Sequence, residues 1–349
     1  MRISSVNPVS FFPTPFFPDY TKFSIWSDGY YVTANITAGA TNEGVWVVER
    51  DKMINGETAQ FVGLPLTGVV TSGFYSPQGF NVTGGELPPP GDFPIVYMQD
   101  DAWAGVGNDH LKMWMVDVDW ENTANSSISA PIEFGSTEGV SAFTSVFDGG
   151  SFSNLDQPGN GSPDVDALQA TVMNQAQYRK FGTHNSAIFN FTVDVDGSAT
   201  KQAGIRWYEL RQTADGQPWT IHQEGTYTAP DERHAWNASM IMDVQGNIGL
   251  GYSSMSSPNS TDAGVFVGSY YTGRFTGDPL GTMTLTEEVV IEGNGNFPNI
   301  RYGDYSKIDV DPENDKRFWF VNEVMFNGRK NYAGVFQIAP NFNNDIGVI

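Results

Sequence analysis

The 349-residue sequence contains no cysteine, which excludes a disulfide framework, a thiolate metal site and a cysteine nucleophile. It also lacks any apolar run near the roughly 18 residues that a membrane-spanning helix needs. Its first twenty residues do not show the basic start and continuous apolar block of a signal peptide. If the protein is exported, we expect its signal to have been removed or to lie outside this sequence.

Basic residues are few: 18 lysines and arginines stand against 40 aspartates and glutamates, giving a net charge of −22. This charge repels nucleic-acid phosphates and anionic membrane surfaces, so we expect no nucleic-acid partner and no membrane insertion. It favours solubility in salty or extracellular surroundings, or a cation-binding surface. We therefore predict a secreted or cell-surface protein.

Aromatic residues, glycine and proline are plentiful. Aromatics make up 13% of the chain, which also has 38 glycines and 20 prolines, a mixture that favours many strands with tight turns. Residues 1–20 carry four prolines and two Phe-Phe pairs, which predicts an extended segment lying against a sheet. We expect residues 21–349 to form a single domain, with an incomplete first blade as an open alternative.

A repeat of aromatic strands runs through the chain. Its members begin at Gly44, Leu111, Gly204, Gly264 and Ala333. Each follows a hairpin with an Asp-containing turn, so the repeating unit is a small antiparallel sheet. The starts are roughly 60 to 90 residues apart, against about 40 to 50 for ordinary propeller blades. The sequence therefore predicts an all-β fold, a β-propeller with long loops; two β-sandwiches are the alternative, because the repeat is imperfect in the first half.

Several segments resemble, in the same order, a family of secreted bacterial proteins whose repeats indicate a β-propeller. They are SIWSDGYY, YRKFGTHNS, GIRWYELR, WTIHQEGTY and RYGDYSKIDVDPENDKRFWF. The resemblance implies a fold and a secreted habitat but no established activity. Those relatives have a further blade before SIWSDGYY, so membership of a larger assembly is one alternative. More distantly, the turn at residues 243–247 resembles the Asp-box of sialidase-like propellers, which is a fold element and not a catalytic one.

Candidate catalytic carboxylates lie at predicted strand ends. A glycosidase needs two carboxylates about 5 to 10 Å apart, and the candidates are Glu209, Glu224, Asp231, Asp304 and Glu323. Asp304 stands out because Arg301, Tyr302 and Tyr305 are its neighbours in sequence. These residues offer a guanidinium for a sugar carboxylate and ring faces for a pyranose, so we predict a ligand-binding site there.

A polysaccharide lyase needs a proton carrier beside a cation. His222 and His234 flank one connection that also holds Tyr227 and Arg233, and with Tyr302 these residues offer such a set. No Gly-x-Ser-x-Gly elbow is present, so a serine hydrolase is not supported. Trp103 and Trp236 are predicted to lie in loops and are the tryptophans best placed to stack against a ligand.

Calcium is the predicted cofactor, and no organic cofactor is expected. One oxygen-rich turn contains Asp309, Asp311, Asn314 and Asp315, and a second contains Asp194 and Asp196. Hard cations take six to eight oxygen ligands, and alternating aspartates supply several at once. The alternative is a plain Asp/Asn turn.

The sequence favours a non-catalytic recognition or surface-assembly module whose partner is an extracellular glycan or a surface protein. The propeller repeat, without a sharp catalytic constellation, motivates this interpretation. The first alternative is an extracellular polysaccharide-cleaving enzyme, either a glycosidase or a lyase. The second is a structural subunit of a surface filament.

Overall fold

A computed structural model describes residues 18–36, 44–71, 76–197, 200–338 and 347–348. Within these ranges the chain forms 24 strands, one α-helix and five 3-10 helices. Most of the predicted N-terminal segment, residues 1–17, lies outside the described residues. Among the described residues, no helix has the length and apolar character that a membrane span requires.

The first sheet, blade 1, contains four antiparallel strands in chain order. They are β1 (Pro18–Ile25), β2 (Gly29–Ile36), β3 (Gly44–Glu49) and β4 (Phe61–Pro65), with the helix α1 (Arg50–Asn55) between β3 and β4. The Asp-Gly turn predicted at Asp28 joins β1 to β2. Blade 1 therefore begins at the first described residue.

The next stretch of chain supplies blade 2 and the edge of blade 3. Its strands are β5 (Gln78–Gly79), β6 (Asn81–Thr83), β7 (Phe93–Gln99), β8 (His110–Asp117), β9 (Ser127–Ile128) and β10 (Ile132–Phe134). Blade 2 has the order β10-β8-β7-β5, with β9 also paired to β8. A separate hairpin follows, formed by β11 (Leu155–Gln157) and β12 (Gly161–Val165).

Blade 3 has the order β6-β13-β14-β15-β16. Its remaining strands are β13 (Gln177–Lys180), β14 (Asn185–Asp194), β15 (Ala203–Gln212) and β16 (Thr220–Tyr227). Blade 4 consists of β17 (His234–Met242), β18 (Ile248–Met255), β19 (Gly268–Arg274) and β20 (Glu288–Ile291). Blade 5 consists of β21 (Lys307–Val310), β22 (Arg317–Met325), β23 (Arg329–Gln337) and β24 (Gly347–Val348). The 3-10 helices are Thr123–Asn125, Ser136–Glu138, Asp148–Gly150, Pro158–Asn160 and Pro230–Glu232.

These five sheets of the described chain are the blades of a β-propeller, as predicted, and not two β-sandwiches. The five aromatic segments of the repeat correspond to β3, β8, β15, β19 and β23, one in each blade. β19 begins at Gly268 and not at the predicted Gly264. The residues between them belong to the preceding loop, where Val265 accepts a 2.9 Å backbone hydrogen bond from Ser256.

Aromatic side chains fill the space between neighbouring blades. The Trp26 ring lies 5.5 Å from Phe93 and 4.8 Å from Tyr178, which joins blades 1, 2 and 3 in one core cluster. Between blades 4 and 5 the approach is closer, because an added Cβ on Gly251 of β18 would lie 2.5 Å from the Phe320 ring. Glycine at this strand position therefore makes room for the aromatic ring of the next blade.

The innermost strands run in the same direction. Ser306 Oγ donates to the carbonyl of Asn237 at 2.6 Å, and two residues further along both strands Ile308 N donates to Ser239 Oγ at 3.0 Å. Asn174, which precedes β13, also donates from its side chain to the Ser306 carbonyl at 3.3 Å. The strands β13, β17 and β21 of blades 3, 4 and 5 therefore begin at one face of the propeller, called here the entry face. The turn at residues 311–316 follows β21 and lies at the opposite face.

Candidate functional site

The loop at residues 301–306 brings Arg301, Asp304 and Tyr305 to the entry face and is anchored to blade 4. The Asn237 side-chain amide donates to the Tyr302 carbonyl, and Ser306 Oγ donates back to the Asn237 carbonyl at 2.6 Å. Gly303 has a φ of 72°, and a Cβ there would lie 3.2 to 3.3 Å from neighbouring side-chain atoms. These contacts fix the loop, so its charged side chains have defined positions.

Asp166 joins this loop from the segment that follows β12. Its backbone N–H donates to the carbonyl of Ile300 at 2.8 Å, which places Asp166 beside Arg301. Asp166 is 1% exposed; Oδ1 accepts from the Leu168 N–H at 2.8 Å, and Oδ2 lies 3.5 Å from Arg301 Nη1. Burial raises the pKa of Asp166 to about 6, against the opposing effects of the Leu168 N–H and Arg301. A carboxyl of this kind is protonated at mildly acidic pH.

A single guanidinium connects two carboxylates. Arg301 donates from Nε and Nη2 to Oδ2 of Asp304 at 2.7 and 2.5 Å, while its Nη1 lies near Asp166. Because both acids contact one guanidinium, they are no farther apart than roughly the 9.5 Å upper limit of glycosidase carboxylate pairs. The arrangement therefore places a carboxyl group with a raised pKa and a second, charge-paired carboxylate in one cluster.

Two tyrosines and a lysine complete the group. The pairing of β1 with β2 shifts register between Asp19 and Lys22, and Tyr20 within the shift has a φ of 51°. Such bulges redirect side chains near functional sites. The Tyr20 and Tyr305 ring centroids are 5.2 Å apart, and Lys22 Nζ lies 3.0 Å from the Tyr20 centroid and 5.0 Å from that of Tyr305. Tyr305 is 60% exposed and presents its ring to solvent.

The entry-face cluster is defined as Tyr20, Lys22, Asp166, Arg301, Asp304 and Tyr305. Sequence analysis predicted the last three and missed the others. Asp166 stands between the apolar residues Val165 and Ala167. Lys22 lies on the same buried side of β1 as Tyr20 and Ser24. A charge within an apolar strand pattern is the signal that could have found both.

The structure assigns the other aromatic candidates to the core. Tyr302 is 0% exposed, its hydroxyl donates to the Glu323 carbonyl, and its ring lies 6.1 Å from Trp236. The loop position predicted for Trp236 is wrong, because this residue lies in β17 and is fully buried. Trp103 does lie in a loop, but only 3% of it is exposed and its ring packs 5.9 Å from Tyr97. Neither tryptophan presents a ring face to solvent.

The structure does not bring the two candidate histidines together. His234 begins β17 at the entry face, where burial lowers its pKa to about 3 and Nδ1 accepts from the Ala203 N–H at 3.2 Å. His222 lies near the start of β16 at the opposite face, and burial also lowers its pKa. β16 has eight residues and spans roughly 25 Å. The two histidines therefore do not belong to one site.

The remaining candidates of the acid and lyase sets lie away from the cluster, and all of them except Asp231 have side-chain partners of their own. Glu224, on the outer strand of blade 3, accepts from the Ser141 N–H at 3.0 Å and lies 3.4 Å from Arg206. The others are Glu209 (contacts Ser186, Arg211 and Gln223), Asp231 (3-10 helix), Glu323 (pairs with Arg329), Arg233 (pairs with Glu287) and Tyr227 (bonds to Tyr252).

The first predicted calcium turn lies at the opposite face, and its oxygens already have protein partners. Arg179 forms a fork with Asp315 at 2.7 and 2.5 Å. Lys307 lies 2.9 Å from Asp309. Asn314 and Asp311 accept backbone N–H groups of their own turn. These contacts account for the turn without a cation.

The second predicted calcium turn is similar. Asp194 Oδ1 accepts from the N–H groups of Asp196 and Gln202, each at 3.1 Å, and Asp196 accepts from Thr200 Oγ1 at 2.6 Å. Within the described ranges, the acids close enough to share a cation are Asp100, Asp101 and Asp109. Two of these accept hydrogen bonds from the loop at residues 143–145. Calcium binding stays a prediction, which thermal unfolding with and without added calcium would test.

A cleft is lined in part by residues that are close to the cluster in sequence. It has a volume of about 490 Å³ and is lined by Asp156 and Asp164 of the hairpin formed by β11 and β12, and by Ser256, which follows β18. Asp164 precedes Asp166 by two residues. A second cavity of about 420 Å³ is lined by Asp109, Asp194 and Arg206. Neither lining includes Asp166, Arg301 or Asp304, so the charged cluster itself is not the floor of either cavity.

Comparisons with known proteins identify no family for this chain: no protein-family profile and no curated protein matches it. Solved structures show similarity of fold. One is an α-L-arabinofuranosidase of Fusarium graminearum with an iminosugar inhibitor, at 10% identity and a TM-score of 0.45 over 93% of this chain and 95% of that one. Another is a protein of unknown function from Dyadobacter fermentans, at 10% identity, TM-score 0.42, and 96% and 83% coverage.

A thermostable family-43 glycoside hydrolase shows 14% identity and a TM-score of 0.37, with 98% and 95% coverage. Similarity at this level carries no argument about individual residues or activity. The resemblance to a secreted bacterial family therefore stays a prediction, and the function of this chain has to be argued from its own residues.

Proposed function

We propose that this protein is an extracellular enzyme that hydrolyses a neutral polysaccharide at the entry-face cluster. The observation that carries the proposal is the contact of one guanidinium, that of Arg301, with two carboxyl groups of different character. Asp166 is buried with a raised pKa, whereas Asp304 accepts two N–H groups in a charged pair. Paired carboxyl groups in unlike environments are the requirement for glycoside hydrolysis.

In this proposal Asp166 is the general acid. It gives its proton to the glycosidic oxygen as the bond to the anomeric carbon breaks, and Asp304 acts on the other side as base for water or as nucleophile. Water supplies the hydroxyl of the new reducing end. If Asp304 is the nucleophile, the other proton of water goes to Asp166 and restores it; if Asp304 is the base, it takes that proton, and exchange with solvent then restores both carboxyl groups. The exposed ring of Tyr305 supplies a stacking surface for a sugar.

The charges favour a neutral substrate over a uronate. Arg301 already faces Asp166 and Asp304, so its guanidinium is not available as the carboxylate fork that the sequence suggested. The lyase hypothesis loses its histidine pair, since His222 and His234 lie at opposite faces. The cleft lined by Asp164, two residues before Asp166, has room for further sugar units of a polymer.

Non-catalytic glycan recognition is the second candidate. Asp166 is only 1% exposed, whereas Tyr305 is 60% exposed. A ligand that stacks on the Tyr305 ring therefore need not contact Asp166, which favours recognition without cleavage. A recognition module on the cell surface or within a larger assembly would use the same ring.

The test is a screen of neutral and acidic polysaccharides for cleavage products, with wild type, Asp166→Asn, Asp304→Asn and the exposed control Asp309→Asn. We expect products from a neutral polymer with wild type and the control. Loss of a general acid typically costs 10²- to 10⁴-fold, so both site variants should fall by about that factor. Binding of a glycan by wild type without any product would support recognition instead, and cleavage of uronates alone would contradict the proposed substrate.

A further inference from the structure

Lys22 differs from the other buried basic side chains in the part of the chain that the structure describes. It is 2% exposed, and its Nζ has no hydrogen-bond partner among the described residues. The other buried basic side chains each have at least one carboxylate, amide or carbonyl partner. They are Lys112, Arg179, Lys201, Arg206, Arg233 and Arg274.

The surroundings of Lys22 explain why this amine is unusual. Its Nζ lies over the Tyr20 ring and within 5.0 Å of the Tyr305 centroid, so two aromatic rings enclose it. Burial lowers its pKa well below the usual range, and the carboxylates of Asp304 and Asp19 oppose this effect without bonding to it. Leaving an amine buried without an acceptor destabilises a fold, and such groups concentrate at functional sites.

We propose that Lys22 is a ligand-binding residue of the entry-face cluster, whose Nζ donates a hydrogen bond to a hydroxyl or ring oxygen of a bound neutral saccharide. The inference rests on the proposed function in that the ligand is a saccharide. It does not require that the ligand be cleaved.

The surroundings of the amine favour a neutral oxygen as its acceptor. Tyr305, which shields one side of the amine, is the exposed member of the cluster, so a sugar that packs against this ring and turns it aside would bring a hydroxyl to Nζ. A ligand carboxylate would meet the charges of Asp19 and Asp304 at the same place, whereas a hydroxyl would not.

The test compares Lys22→Met with Lys201→Met, a matched control. Lys201 is a buried lysine, 8% exposed, whose Nζ lies 2.7 Å from Asp148. Replacing an unpaired buried amine by an apolar side chain of similar length should be stabilising, whereas removing a paired one should destabilise. We expect Lys22→Met to raise the Tm by about 2 °C or more and Lys201→Met to lower it.

Binding of neutral arabinan, xylan and β-glucan oligosaccharides is then measured by calorimetry, with oligogalacturonides as the acidic comparison. We expect Lys22→Met to weaken the best neutral ligand 10- to 100-fold and Lys201→Met to leave it unchanged.

The outcomes separate this inference from the proposed activity. If Lys22→Met lowers the Tm, or binds neutral oligosaccharide as wild type does, the role assigned to Lys22 is overturned whether or not the protein is an enzyme. If no neutral oligosaccharide binds to wild type, it is overturned as well. If wild type binds without cleaving and Lys22→Met loses the binding, the proposed hydrolysis fails and the Lys22 inference stands.

Discussion

Replacement of Asp166 by asparagine should make the protein more stable at neutral pH. The folded chain favours the protonated form of this buried carboxyl, with a pKa of about 6 against an ordinary value of 3.8. Asp166 contributes its full stability to the fold below about pH 4, where its carboxyl is protonated in both the folded and the unfolded chain. This stability is lost as the pH rises through 6, because the carboxyl ionises at a lower pH in the unfolded chain than in the folded one.

The size of the effect follows from these two pKa values. Their difference corresponds to about 3 kcal/mol, and little discount for solvent applies because Asp166 is 1% exposed. Asparagine stays neutral at every pH but loses the attraction to Arg301, so we expect a gain of about 1 to 3 kcal/mol in the free energy of unfolding above pH 7. Below about pH 4 the gain should vanish.

Thermal unfolding followed by circular dichroism between pH 4 and 8 measures this gain. The control is Asp309→Asn, whose carboxylate is about half exposed and should change stability by less than about 0.5 kcal/mol. A curve for Asp166→Asn that runs parallel to wild type across the whole pH range would refute the assignment of a raised pKa to Asp166. So would a loss of stability at pH 7.5.

Three further changes test the fold and the cluster. Arg179→Met should cost about 3 to 5 kcal/mol in the free energy of unfolding, because it leaves Asp315 without its fork between blades 3 and 5; an unchanged denaturation midpoint would count against this contact. Tyr305→Ala should weaken oligosaccharide binding about tenfold in calorimetry without altering the Tm, since the ring is exposed; equal binding would remove the stacking role. Gly251→Ala should lower the free energy of unfolding by about 1 to 3 kcal/mol in chemical denaturation, because the added methyl group clashes with Phe320. An unchanged free energy would show that the Phe320 ring can move aside.

The architecture was readable from the sequence because each blade repeats one local pattern. The run GIRWYELR predicted a strand, and β15 covers it from Ala203 to Gln212. The Asp243 turn was also readable, since its side chain accepts the N–H groups of Gln245 and Asn247 within five residues. Local hydrogen bonds and the two-residue alternation of strands depend on residues that are close in the sequence, so both can be predicted from it.

The site was only half predictable. Arg301, Asp304 and Tyr305 are close in sequence and could be grouped. Asp166 is brought to them by a backbone hydrogen bond to Ile300, which no local sequence pattern predicts. Lys22 reaches the same place because two ends of the ring of blades meet there. Long-range packing of this kind depends on how blades close around an axis.

The buried tryptophans show the opposite failure. The sequence predicts a loop at Trp236, but β17 begins two residues earlier and directs the ring into the core. The histidines were grouped by their distance in sequence, although a whole strand separates them in space. Short sequence separation across a strand is a poor guide to proximity, since the strand carries its two ends to opposite faces.

The central claim is that the entry-face cluster hydrolyses a neutral polysaccharide with Asp166 as its acid. The most direct measurement is kcat/KM from pH 4 to 8 for wild type and Asp166→Asn on the neutral polymer that yields most product. The account predicts a wild-type rate that declines above about pH 6, where Asp166 loses its proton, and a variant slower by about 10²- to 10⁴-fold with no such decline. A variant as fast as wild type, or a wild type that binds the polymer and releases no product, would contradict it.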